Sequence, residues 1–215
     1  MNANLSTVHV VDDDESFRTA VSRMLRAAGY EVRAYPSAGD FLLEAPVAGP
    51  GCLLLDIRMP GPTGFELQVA LATSENPLPV IFLTGRGDVA GSVRAMKAGA
   101  VDFLTKPAKR ETLLAAIQAA LSGDEERRAA RAELRTLLAR YAALSPRDRE
   151  ILRHVVAGRL NKQIAAAVGV SERTVKSHRA HIMETMQASS VADLVRAADR
   201  LGPRVELPEA PRPSL

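Results

Sequence analysis

Five polar positions in the first half of the chain stand where short apolar runs stop. Asp12 and Asp13 follow VHVV, Asp56 follows CLLL, Thr84 follows VIFL, and Lys106, with Pro107 behind it, lies just past VDFL. Short β-branched or leucine-rich runs bounded this way mark buried parallel strands. In an open α/β sheet the carboxyl ends of such strands form the binding crevice. Three carboxylates, a hydroxyl and an amine therefore converge on one edge, a set suited to Mg²⁺ and a phosphoryl group.

Strand-like and helix-like patterns alternate from Thr7 to about Leu121. VHVV (8–11) reads as strand, and Phe17, Ala20, Val21, Met24, Leu25 and Ala28 then fall at helical spacing up to Gly29. EVRAY (31–35) is an alternating strand, followed by a short helix over about 37–45. CLLLD (52–56) is apolar up to its acid, and a helix with Phe65, Leu67 and Val69 follows the turn MPGPTG. Strand 80–83, a helix over about 88–98, strand 101–104 and a helix from about 110 complete five βα units. They predict a five-stranded doubly wound parallel sheet with helices on both faces.

Each polar position has a chemical task in such a crevice. Asp13 and Asp56 supply carboxylates to the metal, and Asp12 acts directly or through water. Asp56 is the best nucleophile, because a carboxylate attacks phosphorus to give an aspartyl phosphate. Lys106 and the metal neutralise the phosphoryl oxygens, and Thr84 hydrogen-bonds one of them. Taken singly, each has an ordinary structural explanation: an Asp after a strand caps the next helix, and a loop lysine is solvated. The ordered set, each member at a different strand end, is what points to a site.

Bulk properties narrow the classes. The 215 residues suit one large or two small domains, and 47% hydrophobic content argues for folded structure. The apolar runs are too short to span a bilayer, no basic leader precedes the Asp12–Asp14 run, and the lone Cys52 excludes a disulfide framework. A cytoplasmic location without membrane attachment is the expectation. The net charge of +3 conceals an asymmetry. Residues 1–121 carry 11 Lys and Arg against 13 Asp and Glu, whereas residues 144–202 carry 10 against 6. A basic rear module suggests a nucleic-acid partner.

Residues 122–143 are rich in charge, Ala and Leu without Pro. They are expected to extend the fifth helix or form a separate linker helix, with Leu134, Leu137, Leu138 and Tyr141 as a stripe compatible with a two-chain coiled coil. A second domain opens at Leu144, where Ser145, Pro146 and Asp148 form a helix start. Four helices are predicted, to about Ala157, over 161–168, over 171–186 and from about 190 to 200. The tail from 203 holds four of the 13 prolines and is expected to be disordered.

Helices two and three of that domain, joined at Gly169, have helix-turn-helix form. Val175, His178, Ile182 and Met186 share one face and should pack inward. Arg173, Lys176, Ser177 and Ala180 share the other, which would enter a major groove. Lys176 donates to guanine O6 and N7, Ser177 pairs with several bases, and Ala180 admits close approach. Asn161, Lys162, Thr174 and Arg179 are the candidates for backbone contacts. His178 is expected to be packed or to face phosphate.

Residues 7–121, through VVDDDE, LLLDIRMPG, FLTG and KAGAVDFLTKP, resemble the receiver domain of bacterial two-component response regulators, a flavodoxin-like fold. The segment LSPRDREILRHVVAGRLNKQIAAAVGVSERTVKSHRAHIMETM resembles the LuxR-type helix-turn-helix domain, an all-α four-helix unit. Together they give the architecture of the FixJ/NarL group. The resemblance implies that Asp56 is phosphorylated by a sensor histidine kinase, with Asp12 and Asp13 holding Mg²⁺ and Lys106 contacting the phosphoryl group. Thr84 would be the switch hydroxyl and Phe103 the aromatic that turns inward as Thr84 moves, repacking the face around 85–106. The Lys106–Pro107 bond would be cis, and Ala108 departs from the large residue many relatives carry there.

The expected function is that of a DNA-binding transcription regulator, an activator that forms a homodimer when phosphorylated and binds double-stranded promoter DNA, with RNA polymerase as a further partner. It would not be an enzyme beyond catalysing its own phosphorylation and dephosphorylation. A phosphohydrolase is disfavoured by Arg58, which stands where a second Asp would act as general acid. The other alternative is a phosphorelay or protein-interaction module whose helical domain does not bind DNA.

Overall fold

Runs such as GCLLL and VIFLT have no polar face to give to solvent, so strands made from them must be covered on both sides. In the computed structural model, which describes residues 6–44, 49–74, 77–85 and 89–205, these runs are the centre of a parallel sheet. The strands β1 (Thr7–Val11), β2 (Glu31–Tyr35), β3 (Gly51–Leu55), β4 (Val80–Thr84) and β5 (Asp102–Thr105) stand in the order β2-β1-β3-β4-β5 among the described residues. The helices between them are α1 (Glu15–Ala27), α2 (Ala38–Glu44), α3 (Gly64–Ala72) and α4 (Val89–Lys97), followed by α5 (Arg110–Ala143). Residue 88, where the fourth helix was expected to start, lies outside the described residues.

Alternate residues of the strands feed separate cores, as the two-residue pleat requires. Val8, Val10, Cys52, Leu54, Ile81 and Leu83 pack with Val21 and Leu25 of α1 and Leu113 and Ile117 of α5. Val11, Leu53, Leu55 and Phe82 pack on the opposite face with Phe41 of α2, Leu67 of α3 and Ala95 of α4. Register then sets the strand ends level. Val11 pairs with Leu55, so Asp12 and Asp56 emerge side by side, and Thr84 pairs with Thr105, one residue before Lys106. Thr84 is thus the last residue of its strand rather than the first of a loop, because its pairing with β5 continues to that position.

The chain divides into two compact units at Arg128 and Ala129, a boundary inside α5. Residues 122–128, expected in a linker, belong to the first unit: buried Asp124 accepts from the Gly51 N–H at 3.3 Å and from Arg128 Nε at 2.6 Å. In the second unit Leu137 is buried, with Leu138 and Tyr141 packed against the same core. Leu137, Leu138 and Tyr141 of the stripe read as a coiled-coil seam are therefore packed on their own chain, while Leu134 is half-buried outside that cluster. That core joins Ile151 and Leu152 of α6 (Pro146–Val156), Ile164 and Val168 of α7 (Asn161–Val168), Val175 and Ile182 of α8 (Glu172–Thr185), and Leu194 and Leu201 of α9 (Val191–Leu201). Gly169, at φ 72°, supplies the left-handed turn between α7 and α8 that a side chain would strain.

The first residues of the segment expected to be disordered from 203 are ordered. Gly202–Arg204 form a 3₁₀ turn and Val205 is buried, since this valine completes the core beside α9; residues 206–215 lie outside the described residues. Among the described residues no helix is long and apolar enough to cross a membrane.

His9, on the inner side of β1, stacks on Tyr35 at 5.9 Å and meets Phe41 edge-on at 5.6 Å. Burial, with the nearby Arg33 charge, holds its imidazole well below the ordinary value of 6.5, at about 4. Between those values the unfolded chain binds a proton that the native one refuses, so stability is full above pH 6.5 and falls as pH drops toward 4. Urea denaturation should show up to about 2.5 kcal/mol more loss between pH 7 and 4.5 in the wild type than in His9→Gln. Equal losses would show that His9 carries no such penalty.

Candidate functional site

The level strand ends build an acidic pocket. Asp12, Asp13 and Asp56 each offer a carboxylate oxygen, and these atoms lie within 4.8 Å of one another. Asp12 and Asp56 are buried, whereas Asp13 is exposed. Lys106 Nζ crosses from the end of β5 to donate to Asp12 Oδ2 at 2.5 Å and to Asp56 Oδ2 at 3.0 Å. The peptide bond after it, to Pro107, is cis.

The remaining oxygens are held by backbone. Asp56 Oδ1 accepts from the Ile57 N–H at 2.7 Å, and Asp12 Oδ1 accepts from the Asp14 N–H at 3.1 Å. Asp14 itself caps α1, accepting from the Phe17 N–H at 3.0 Å. Burial pushes the Asp12 carboxyl up, with Lys106 acting against it. Burial alone would lower the Lys106 ammonium, but its hydrogen bonds to Asp12 and Asp56 outweigh that and raise it.

Three carboxylates against one ammonium leave the pocket two negative charges in excess when all are ionised. All the acidic donors are hard oxygens, one of them open to solvent, and this set fits a divalent cation such as Mg²⁺. Among the described residues it is the one such cluster of metal-binding side chains.

Thr84 is buried at the pocket's edge of β4. Phe103 on β5 is half-buried, 6.3 Å from the Phe82 ring, which lies 5.2 Å from Phe65 of α3. Three contacts here had no sequence signal strong enough to find them. The Phe17 ring lies 4.2 Å from Lys106 Nζ, Arg18 donates to the Asp12 carbonyl at 2.7 Å, and Gly64 returns onto the Asp56 carbonyl. A Cβ at Gly64 would stand 2.2 Å from that oxygen, so only glycine allows α3 to start there. Phe17 read as one more member of an apolar helix face, and Gly64 as a turn residue.

In the second unit Arg173, Lys176, Ser177 and Ala180 lie exposed on α8, opposite the buried Val175 and Ile182. The candidates for backbone contact are arranged differently from one another. Arg179 Nη1 donates to Asn161 Oδ1 at 3.1 Å, joining α8 to the start of α7, while Lys162 is exposed. Thr174 is half-buried, with its hydroxyl 2.8 Å from that of the capping residue Ser171.

His178 does not simply pack with the apolar face. Its Nδ1 is 2.7 Å from Asp148 Oδ1, and His181 Nε2 is 3.9 Å from the other oxygen. Burial raises the Asp148 carboxyl, but the Ser145 hydroxyl, which donates to it at 2.6 Å, and the His178 imidazole outweigh this and hold it low. Asp148 thus fixes the start of α6 and ties α6 to α8. Arg147, one residue before, donates to the Val168 carbonyl at the end of α7.

Two family models match the chain: "Response regulator receiver domain" over residues 8–118 and "Bacterial regulatory proteins, luxR family" over residues 142–198. Nodulation protein W of Bradyrhizobium diazoefficiens is 43% identical over 195 residues, covering 91% of this chain and 86% of that protein. The transcriptional regulatory protein FixJ of the same organism is 40% identical, covering 91% and 95%. Among solved structures, the response regulator StyR aligns with a TM-score of 0.82 at 43% identity, over 91% of this chain and 99% of that one. Full-length FixJ from B. japonicum aligns with a TM-score of 0.56 at 40% identity, over 92% and 97%.

The Asp148 tether has a measurable weight. Asp148→Ala removes a charge-assisted bond to His178 and the carboxylate that accepts from Ser145, and should cost the second unit about 2 kcal/mol. Hydrogen exchange followed by mass spectrometry should show faster exchange in α6 and α8 with β1 and β3 unchanged. Unaltered protection of α8 would mean that its apolar face alone holds it.

Proposed function

The chain belongs to the two-component response regulators that join a receiver domain to a LuxR-family DNA-binding domain, and on that footing we propose that Asp56 is its phosphoryl acceptor and that phosphorylation switches promoter binding. The observation that carries this reading is the bridge of Lys106 between Asp12 and Asp56 beside a cluster of three carboxylates. A lysine already seated on the nucleophile can neutralise what the nucleophile receives.

The donor is a phosphohistidine of a sensor histidine kinase. An Asp56 carboxylate oxygen attacks phosphorus, and the P–N bond breaks with its electron pair left on the imidazole. The Ile57 N–H holds Asp56 Oδ1 and so sets the carboxylate's orientation during attack. Lys106 keeps Asp12 as a partner while its other bond passes from Asp56 to a phosphoryl oxygen. Asp12, Asp13 and Asp56 would hold Mg²⁺, which when bound neutralises charge on the phosphoryl oxygens.

The Thr84 hydroxyl then turns toward the phosphoryl group, and Phe103 moves into the space it leaves. Phe103 is suited to this because it is half-buried against Phe82 rather than locked in the core. Repacking of that face favours a homodimer, which presents two α8 helices to paired half-sites in double-stranded promoter DNA. Arg173, Lys176, Ser177 and Ala180 read bases, and Asn161, Lys162, Thr174 and Arg179 contact the backbone. The protein acts in the cytoplasm as a transcriptional activator, with RNA polymerase as a further partner, and has no enzymatic role beyond its own phosphorylation and dephosphorylation.

Acetyl phosphate with Mg²⁺ should place one phosphoryl group on the wild-type chain and none on Asp56→Asn. Phosphorylated protein should dimerise in light scattering and bind promoter fragments recovered by chromatin precipitation at least about ten-fold more tightly. Lys176→Ala should weaken that binding by roughly ten-fold without altering phosphorylation. Equal DNA affinity for Asp56→Asn and phosphorylated wild type would overturn the switch, and full binding by Lys176→Ala would overturn the assigned face.

A further inference from the structure

The Lys106 ammonium has three N–H donors, and the two carboxylates of the pocket occupy only part of its surroundings. The Phe17 ring covers another side, its centroid 4.2 Å from Nζ, well within the range at which a cation is attracted to an aromatic face. The ring is not there by chance of a flexible side chain. Its backbone N–H is bonded to the α1 cap Asp14, and it packs against the core formed by Val8, Leu54 and Leu113. The ammonium it faces is largely withdrawn from water, with 15% of the Lys106 side chain exposed, and desolvation strengthens such an attraction. Arg18, the next residue, braces the Asp12 carbonyl. Consecutive residues of one helical turn therefore hold two members of the pocket.

We infer that Phe17 is a positioning residue for phosphoryl transfer: its ring holds the Lys106 ammonium over Asp56, so that the ammonium stays in the pocket when its bond passes from carboxylate to phosphoryl oxygen. This rests on the reading of Asp56 as acceptor. In this role Phe17 acts through Lys106. Without the ring, an ammonium on a four-carbon stem gains a hydrated alternative each time Asp56 is engaged.

The test uses the full chain with acetyl phosphate. The Asp56 oxygen attacks phosphorus, the bond from phosphorus to the acetate oxygen breaks, and acetate leaves with the electron pair. Phe17→Leu keeps an apolar side chain at the position and should slow this step about five-fold, the ratio that roughly 1 kcal/mol of lost cation–π attraction gives. Phe17→Tyr should retain the wild-type rate. In NMR spectra of the unphosphorylated protein, the Lys106 ε-methylene protons should be shifted upfield by the ring in wild type and Phe17→Tyr, and return to the ordinary lysine position in Phe17→Leu. Mg²⁺ affinity, measured by titration, should be the same in all three, because Asp12, Asp13 and Asp56 are untouched.

A Phe17→Leu protein with wild-type rate overturns the inference and leaves Asp56 as acceptor. A joint fall in rate and Mg²⁺ affinity also overturns it, since that would mark a general loosening of the pocket. Wild type as inert as Asp56→Asn overturns the reading of the acceptor itself, and the inference with it.

Discussion

Everything in the first unit depends on holding two buried carboxylates next to each other. Asp12 and Asp56 emerge level because β1 and β3 pair in register, and alone they would repel in a crevice of low dielectric. Lys106 relieves that repulsion from the far side of the sheet. Adjacent strands lie about 4.8 Å apart, so a residue after β5 that serves both β3 and β1 needs a long stem ending in a compact charge. A lysine meets this requirement, its one ammonium donating to both Asp12 and Asp56. The compensation is partial, with three acids against one base, and this residual charge is what makes the pocket receptive to a cation.

The second unit solves a different problem, that of exposing a helix face while fixing its position. Val175, Ile182 and Met186 bury one side of the α8 region and leave Arg173, Lys176, Ser177 and Ala180 outside. Apolar packing permits some sliding; directed bonds do not. Asp148 to His178, Arg179 to Asn161 and Arg147 to the Val168 carbonyl each tie the helix-turn-helix at a different point. Polar residues beside the exposed face of α8 thus do structural work that composition alone would assign to solvent or phosphate.

What could be read from the sequence follows from the range of the interactions concerned. Strand ends were visible because an apolar run stopping at Asp12 or Asp56 is a local event, and α6 was visible because Ser145 and Pro146 act within one turn. Which face each residue of β3 serves was hidden, since Leu53, Leu54 and Leu55 look alike although they enter different cores. Phe17 over Lys106 and Gly64 against Asp56 depend on how separate segments meet in space, which no spacing encodes. The stripe at Leu137, Leu138 and Tyr141 showed that something apolar covers it without showing that the cover is the chain's own second core.

The place where the first unit ends has the same kind of origin. Composition changes at Ser122, and a linker from that point is the natural reading of GDEERR. Yet Asp124 is buried, bonded to the Gly51 N–H at the start of β3 and paired with Arg128 four residues on. Gly51 is confined in turn, because a Cβ there would stand 2.5 Å from the Thr7 carbonyl of β1. To peel α5 away before Arg128, a carboxylate would have to give up both partners while the strand edge beneath it lost a bond. The helix is therefore part of the receiver fold for about two turns beyond the change in composition, and the strand that carries Asp56 at one end is hydrogen-bonded to that helix at the other.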